Sequence, residues 1–150
     1  MSLQIATVTN SIASLSVSGV TIKDKDDFIT EAGIRATPLL QPSPAGFVSD
    51  VKVEILSTGI GAGAHKDVFY TLNYVFLHSE IGTGRSLAEV YSDMVDKAFA
   101  IADAVLTNDS ISGCVDIQLE GMGDFGPIAD PSGRVYNGCS ISFRVQEIWS

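Results

Sequence analysis

The chain has 150 residues, 45% hydrophobic, 18% charged and 8% aromatic, which fits one globular domain with its own core and argues against a disordered chain or a multidomain enzyme. Eighteen Asp and Glu against nine Lys and Arg leave a formal charge of −9. A surface built to neutralise nucleic-acid phosphates needs a basic face, so that class is disfavoured.

Ile5, Val8, Ile12 and Leu15 recur at helical spacing and predict a short amphipathic helix that ends before Gly19. A small strand over 20–23 then runs into Asp24, Lys25, Asp26 and Asp27, a charge cluster read as a solvated turn. Residues 28–50 hold Pro38, Pro42 and Pro44 together with Gly33 and Gly46, so neither a continuous helix nor a central strand is expected there. An irregular connection of this length suggests an arm that contacts a partner.

Val51, Val53 and Ile55 alternate with Lys52 and Glu54, predicting a strand with one buried face. Residues 67–78 are apolar on both sides, with Val68, Tyr70, Leu72, Tyr74 and Phe76 on one and Phe69, Val75 and Leu77 on the other. Burial on both faces follows, inside the domain or against another subunit. The glycine-rich stretch 57–66 between these strands reads as a flexible hairpin loop.

The strongest helix signal is the stripe Leu87, Tyr91, Met94, Ala98, Ile101 and Val105, with Ser86 and Glu89 as a capping box and Asn108 near the end. Two further strands are predicted from Val115, Ile117 and Leu119 and from Ile141, Phe143 and Val145; Ser142, Arg144 and Gln146 take the alternate positions of the second. Between them, residues 121–138 contain five glycines and two prolines and read as a long turn or flap. The expected fold is α+β, a mostly antiparallel sheet of about four main strands with two amphipathic helices packed on it. It forms a single domain over 1–150 with an irregular arm at about 28–50.

Candidate chemistry is sparse. Gly59, Gly61 and Ala64 match a relaxed dinucleotide fingerprint, but a strand and not a helix is predicted after them. Gly82-Thr83-Gly84-Arg85 precedes a helix yet lacks the Lys-Ser/Thr ending of a phosphate loop. His65 and His78 are separated by twelve residues of strand, about 40 Å, too far to share a metal, and read as surface or interface histidines. The acids Asp24, Asp26 and Asp27 have neither the glycine turn nor the distal Glu of a calcium loop. Cys114 and Cys139 are expected to be reduced, a disulfide requiring neighbouring strands. No catalytic, cofactor or metal residues are predicted, and a small nucleotide-binding enzyme using the glycine loops is the rival to a structural role. No run of about 18 apolar residues is present and residues 1–10 lack a basic start, so assembly in the cytoplasm is expected.

Several segments together resemble a known family. They are Tyr70-Thr71-Leu72-Asn73-Tyr74, Gly82-Thr83-Gly84-Arg85, Tyr91-Ser92-Asp93-Met94-Val95 and Ser112-Gly113-Cys114-Val115-Asp116. Asp130-Pro131-Ser132-Gly133 and Tyr136-Asn137-Gly138-Cys139 follow, and Thr37-Pro38-Leu39-Leu40-Gln41-Pro42 looks like the family's arm. Over most of residues 20–147 the chain resembles the tail-terminator and neck proteins of long-tailed phages. The resemblance implies a non-enzymatic virion protein that caps the tail tube and joins it to the head. Its partners would be its own copies in a ring, usually of six, the major tail tube protein on one side and a head-tail connector or adaptor protein on the other. A head-completion or adaptor role in the same neck is the alternative.

On that reading Pro38, Leu39, Leu40 and Pro42 of the arm and Gly59, Gly61, Gly63 and His65 of the loop are the interaction residues. Asp24, Asp26, Asp27, Asp124 and Asp130 are the acids expected toward the lumen, where negative charge keeps passing DNA from being gripped.

Overall fold

The computed structural model describes residues 3–24, 37–44, 46–55, 66–81, 87–107, 111–129 and 133–149. Among them the chain runs α1 (Ile5–Ala13), β1 (Thr21–Ile22), β2 (Leu39–Pro42), β3 (Val48–Ile55), β4 (Lys66–Glu80), α2 (Leu87–Thr107), β5 (Asp116–Ala129) and β6 (Val135–Trp149). The strands form one mixed sheet in the order β1-β2-β4-β6-β5, with β3 also paired to β4. Among the described strands only the β1–β2 pair is parallel.

Strand β4 is the spine of the molecule. β6 runs antiparallel along its whole length. Its other edge is shared: β2 pairs with Tyr74 to Leu77 and β3 with Lys66 to Leu72. At the changeover Asn73 is bonded on both sides, its carbonyl accepting from Ser43 N–H and its N–H donating to Phe47 O.

Both helices lie on one face of the sheet, as the two amphipathic stripes require. Val8 and Ile12 of α1 and Met94, Ala98, Ile101 and Val105 of α2 close over Tyr70, Leu72, Tyr74 and Phe76 of β4 and Cys139, Ile141, Phe143 and Val145 of β6. Each large apolar side chain removed from water here contributes about 1.5–3 kcal/mol. In α2 the inward residue of the first turns is Val90 and not Tyr91, which is exposed and leans its ring on Phe125 of β5 at 6.0 Å. The predicted capping box and Asn108 lie in part outside the described residues.

Three expectations are corrected. The stretch from Pro38 to Pro42 is an internal strand and not a free arm: β2 sits between β1 and β4, and Leu39 and Leu40 are buried. The prolines are tolerated because the ladder to β1 uses carbonyls, Thr21 N–H donating to Pro38 O and Lys23 N–H to Leu40 O. The region 121–138 is not a flap: β5 continues to Ala129 and pairs with β6 from Val135. Its glycines sit at an edge strand with register shifts at Leu119/Gly121 and Gly123/Gly126, where bulges absorb them. Finally, Val51 and Val53 do not face the core; they are 55% and 51% exposed, Val51 within the register shift between Ser49 and Lys52 and Val53 just past it.

The strands β3 and β4 do form the antiparallel pair that flanks the predicted hairpin loop, whose residues Gly59, Gly61, Gly63 and His65 lie outside the described ones. Cys114 and Cys139 are both free. Asp116 stands opposite Gln146, and Cys114 lies two residues further out, so more than the seven residues of β6 between Gln146 and Cys139, about 23 Å, separate the two cysteines along the strands. Among the described residues no helix is long and apolar enough to cross a membrane.

Burial sets an alkaline limit on stability. It pushes the Cys139 thiol up to about 12 and raises the phenols of Tyr70 and Tyr74 above their ordinary value, Tyr70 further by its bond to Glu147. The folded chain therefore holds protons that the unfolded chain releases. This stability is complete below the unfolded values, about 8.5 for Cys and 10 for Tyr, and is lost as pH rises past them. The unfolding free energy from urea titrations is expected to be level between pH 7 and 8 and to fall from about pH 9 upward, by up to about 1.4 kcal/mol per pH unit for each group in its window.

Candidate functional site

The sheet has a second face, away from the helices, and there the alternate residues of β3 to β6 change character along the strands. In register across it stand Ser49, Thr71, Arg144 and Gln118, followed by Asn73, Ser142 and Gly121, and then Gln41, Val75, Ser140 and Gly123. One end is polar and the other apolar.

The polar end is a closed hydrogen-bond network. Thr71 Oγ1 donates to Glu120 Oε2 (2.5 Å) and accepts from Arg144 Nη1 (3.0 Å), which also donates to Asp50 O (2.7 Å). Asn73 Nδ2 donates to Gly46 O and Ser49 Oγ, both at 2.9 Å, while its Oδ1 accepts from Ser142 Oγ at 2.8 Å. The Arg144 guanidinium lies 5.8 Å from the centre of the Phe69 ring. Together these bonds tie four strands into one platform, above which lies a shallow concavity of about 390 Å³. Asp50 and Asp124 adopt positive φ, 52° and 55°, a conformation Asp tolerates better than most residues.

Toward the other end a groove of about 200 Å³ is lined by Gln41, Pro44, Val75, Leu77, Ile128 and Ala129. Burial of residues 67–78 on two faces, expected from sequence, thus holds in part. Leu77 is buried within the chain, Phe69 and Val75 are half-buried, and Thr71 and Asn73 make the middle of the second face polar.

A second cluster joins β4 to α2. His78, only 4% exposed, places Nε2 2.5 Å from Asp93 Oδ2 and Nδ1 3.1 Å from Ser79 Oγ. Lys97 adds a 2.8 Å bond to Asp93 Oδ1. The His78 hydrogen bond, and after it that of Lys97, holds the Asp93 carboxyl below its ordinary value. The sequence of hydroxyl, imidazole and carboxylate has the order of a nucleophile relay. Here, however, hydroxyl and imidazole belong to consecutive residues, Asn137 Nδ2 also approaches Ser79 Oγ at 3.4 Å, and neither concavity is lined by Ser79 or His78. The arrangement fastens the end of β4 to α2. His78 is therefore a core histidine and not the surface or interface residue expected from sequence.

Of the predicted interaction residues, Leu39, Leu40 and Pro42 are buried in the sheet and Pro38 is half-buried. The strand that carries Leu39, Leu40 and Pro42 is flanked by β1 and β4. Of the predicted lumen acids, Asp24 accepts from Asn10 Nδ2 beside α1 and Asp124 is exposed on β5 near Ser140; Asp26, Asp27 and Asp130 lie outside the described residues. Asp24 follows β1 and Asp124 belongs to β5. Among the described residues no group of three or more His, Cys, Asp or Glu is placed to hold a metal ion.

Neither the models of known protein families nor the curated proteins include a match to this sequence.

Proposed function

We propose that the chain is a non-enzymatic structural protein of a phage virion. It forms a ring in the neck that caps the tail tube and joins it to the head connector. The observation that carries this reading is the second sheet face. A sheet with both helices on one side leaves its other side to water or to a neighbour. That side combines a rigid hydrogen-bonded platform with an apolar groove, the mixture expected of a surface finished by another subunit. The resemblance of residues 20–147 to neck proteins supplies the place in the particle, and the charge of −9 suits a channel that lets DNA pass. Asp24 and Asp124 are acids assigned to lumen or rim. A head-completion or adaptor role is the neighbouring form of the same proposal.

The test is location. Mass spectrometry of purified particles should find the protein, and gold-labelled antibody should mark the head-tail junction, with rings seen by electron microscopy of the released neck. Absence from particles, or labelling of the capsid shell, would overturn the reading. A melting temperature raised by a nucleotide would favour the enzyme instead.

A further inference from the structure

One flank of α2 is apolar and open. Tyr91, Val95, Phe99 and Leu106 follow each other at steps of four, four and seven, a stripe beside the core-facing one. Phe99 is 60% exposed and Leu106 43%. The Tyr91–Phe125 contact shows that this flank is turned toward β5. There Ile117, Leu119, Met122 and Phe125 pack on the core from the helix side of the sheet and remain only half-buried. β5 is the last strand of the sheet order, and although α2 packs on it as well as on β6, its helix-side residues stay only partly covered. Flank and strand together make a trough. From Tyr91 to Leu106 it extends for about 22 Å, and from Ile117 to Phe125 for about 26 Å. A helix of about 15 residues fits that length and would complete the layer at ordinary helix-packing distance.

The rim of the trough has a sign. Asp96 and Asp103 stand seven residues apart on α2, each three residues before an exposed apolar side chain, Phe99 and Leu106; Glu89 continues the same ridge. The helix's one cation, Lys97, is bonded to Asp93. Charges that border an apolar seam select the partner. A second copy of this chain would bring the same acidic ridge and a further −9 of charge.

We infer that the trough between α2 and β5 is a docking site for an amphipathic helix with Lys or Arg on its flanks, supplied by a different protein. This does not rest on the neck reading: any assembly in which the chain takes part could supply the helix.

The probe is a fluorescent 18-residue helical peptide with a leucine stripe flanked by Lys and Arg, compared with a twin carrying Glu at those flanks. Anisotropy should show saturable binding of the basic peptide that weakens between about 50 and 300 mM salt as screening grows, and none of the acidic one. Phe99→Ser and Leu106→Ser, both at exposed positions, should each weaken binding about tenfold or more, while Val53→Ser on the distant strand β3 leaves it unchanged. Asp96→Lys with Asp103→Lys should reverse the preference between the peptides. Undiminished binding by Phe99→Ser would mean bulk attraction to an acidic protein and would overturn the proposal. A concentration-dependent dimer of the wild type that Phe99→Ser abolishes would overturn it too, by assigning the trough to a second copy.

Discussion

Replacing Gly138 by Ala is expected to destabilise the fold by about 3 kcal/mol or more, lowering the melting temperature by roughly 10 °C. Alanine in place of glycine inside a strand ordinarily stabilises by about 0.5–1 kcal/mol. The sign reverses here because of space. A β-carbon on Gly138 would stand 2.2 Å from the carbonyl oxygen of Phe76 and 3.1 Å from Ile128 Cδ1. The first of these atoms is backbone of β4, which is held in register with β6 on one side and β2 on the other, so it cannot yield without opening the ladder. Gly121 is the matched control: it also lies on the second face, a β-carbon there would meet nothing within 4 Å, and Gly121→Ala should be neutral or slightly stabilising. Equal urea midpoints for the two variants would mean that β4 and β6 do not approach at Gly138 as described.

The same segment shows what could be read from the sequence. Ile141, Phe143 and Val145 are strictly alternate, and all three are in the core. The stripe of α2 was as plain, because the 3.6-residue period of a long helix is hard to imitate. Local punctuation misled in two places. Gly121, Gly123, Gly126 and Pro127 resemble a loop, yet an edge strand needs only one complete ladder and can bulge wherever a glycine sits. Pro38 and Pro42 resemble an arm, yet proline still offers a carbonyl, and the two-residue strand β1 uses Pro38's.

The candidate surfaces were half legible. Ser142 and Arg144 stood at the outward positions of an alternating strand, but their bonds to Asn73 and Thr71 join residues 69 and 73 positions apart. His78 and Asp93 are fifteen residues apart on different elements, with no fixed spacing to connect them. Tyr91 failed for a subtler reason. Its place in the stripe differs from that of Val90 by one residue, about 100° of helix. Which of the two turns inward depends on where the sheet ends.

Glu147→Ala is expected to loosen α1 from the sheet and to destabilise the protein by about 3 kcal/mol. Glu147 is 3% exposed, a carboxylate held almost entirely inside the fold. Its oxygens accept from Gln4 N–H at 2.9 and 3.1 Å, and Oε2 also accepts from Tyr70 Oη at 2.6 Å. Gln4 is the cap position of α1, and its own side chain makes no cap bond, so the carboxylate reaching across from β6 takes that place at the positive end of the helix. Two further contacts pin the helix nearby: Ser112 N–H donates to Ser11 Oγ, and Gly113, at φ +91°, passes so close that a β-carbon would lie 3.1 Å from Thr7 Cβ. A nine-residue helix is marginal by itself and is held by such contacts and by Val8 and Ile12. Without the carboxylate, the buried Tyr70 hydroxyl is left unpaired, at about 1–3 kcal/mol, and the Gln4 N–H at the start of α1 loses its cap, at about 0.5–2 kcal/mol. Glu147→Gln keeps the shape and one acceptor oxygen and should fall between wild type and Glu147→Ala. Hydrogen exchange separates this from general weakening: the amides of Val8 to Ile12 should lose protection in Glu147→Ala well before those of Tyr70 to Phe76 in the central strand. If both groups lose protection in parallel, the carboxylate supports the whole core and is not a clasp for α1.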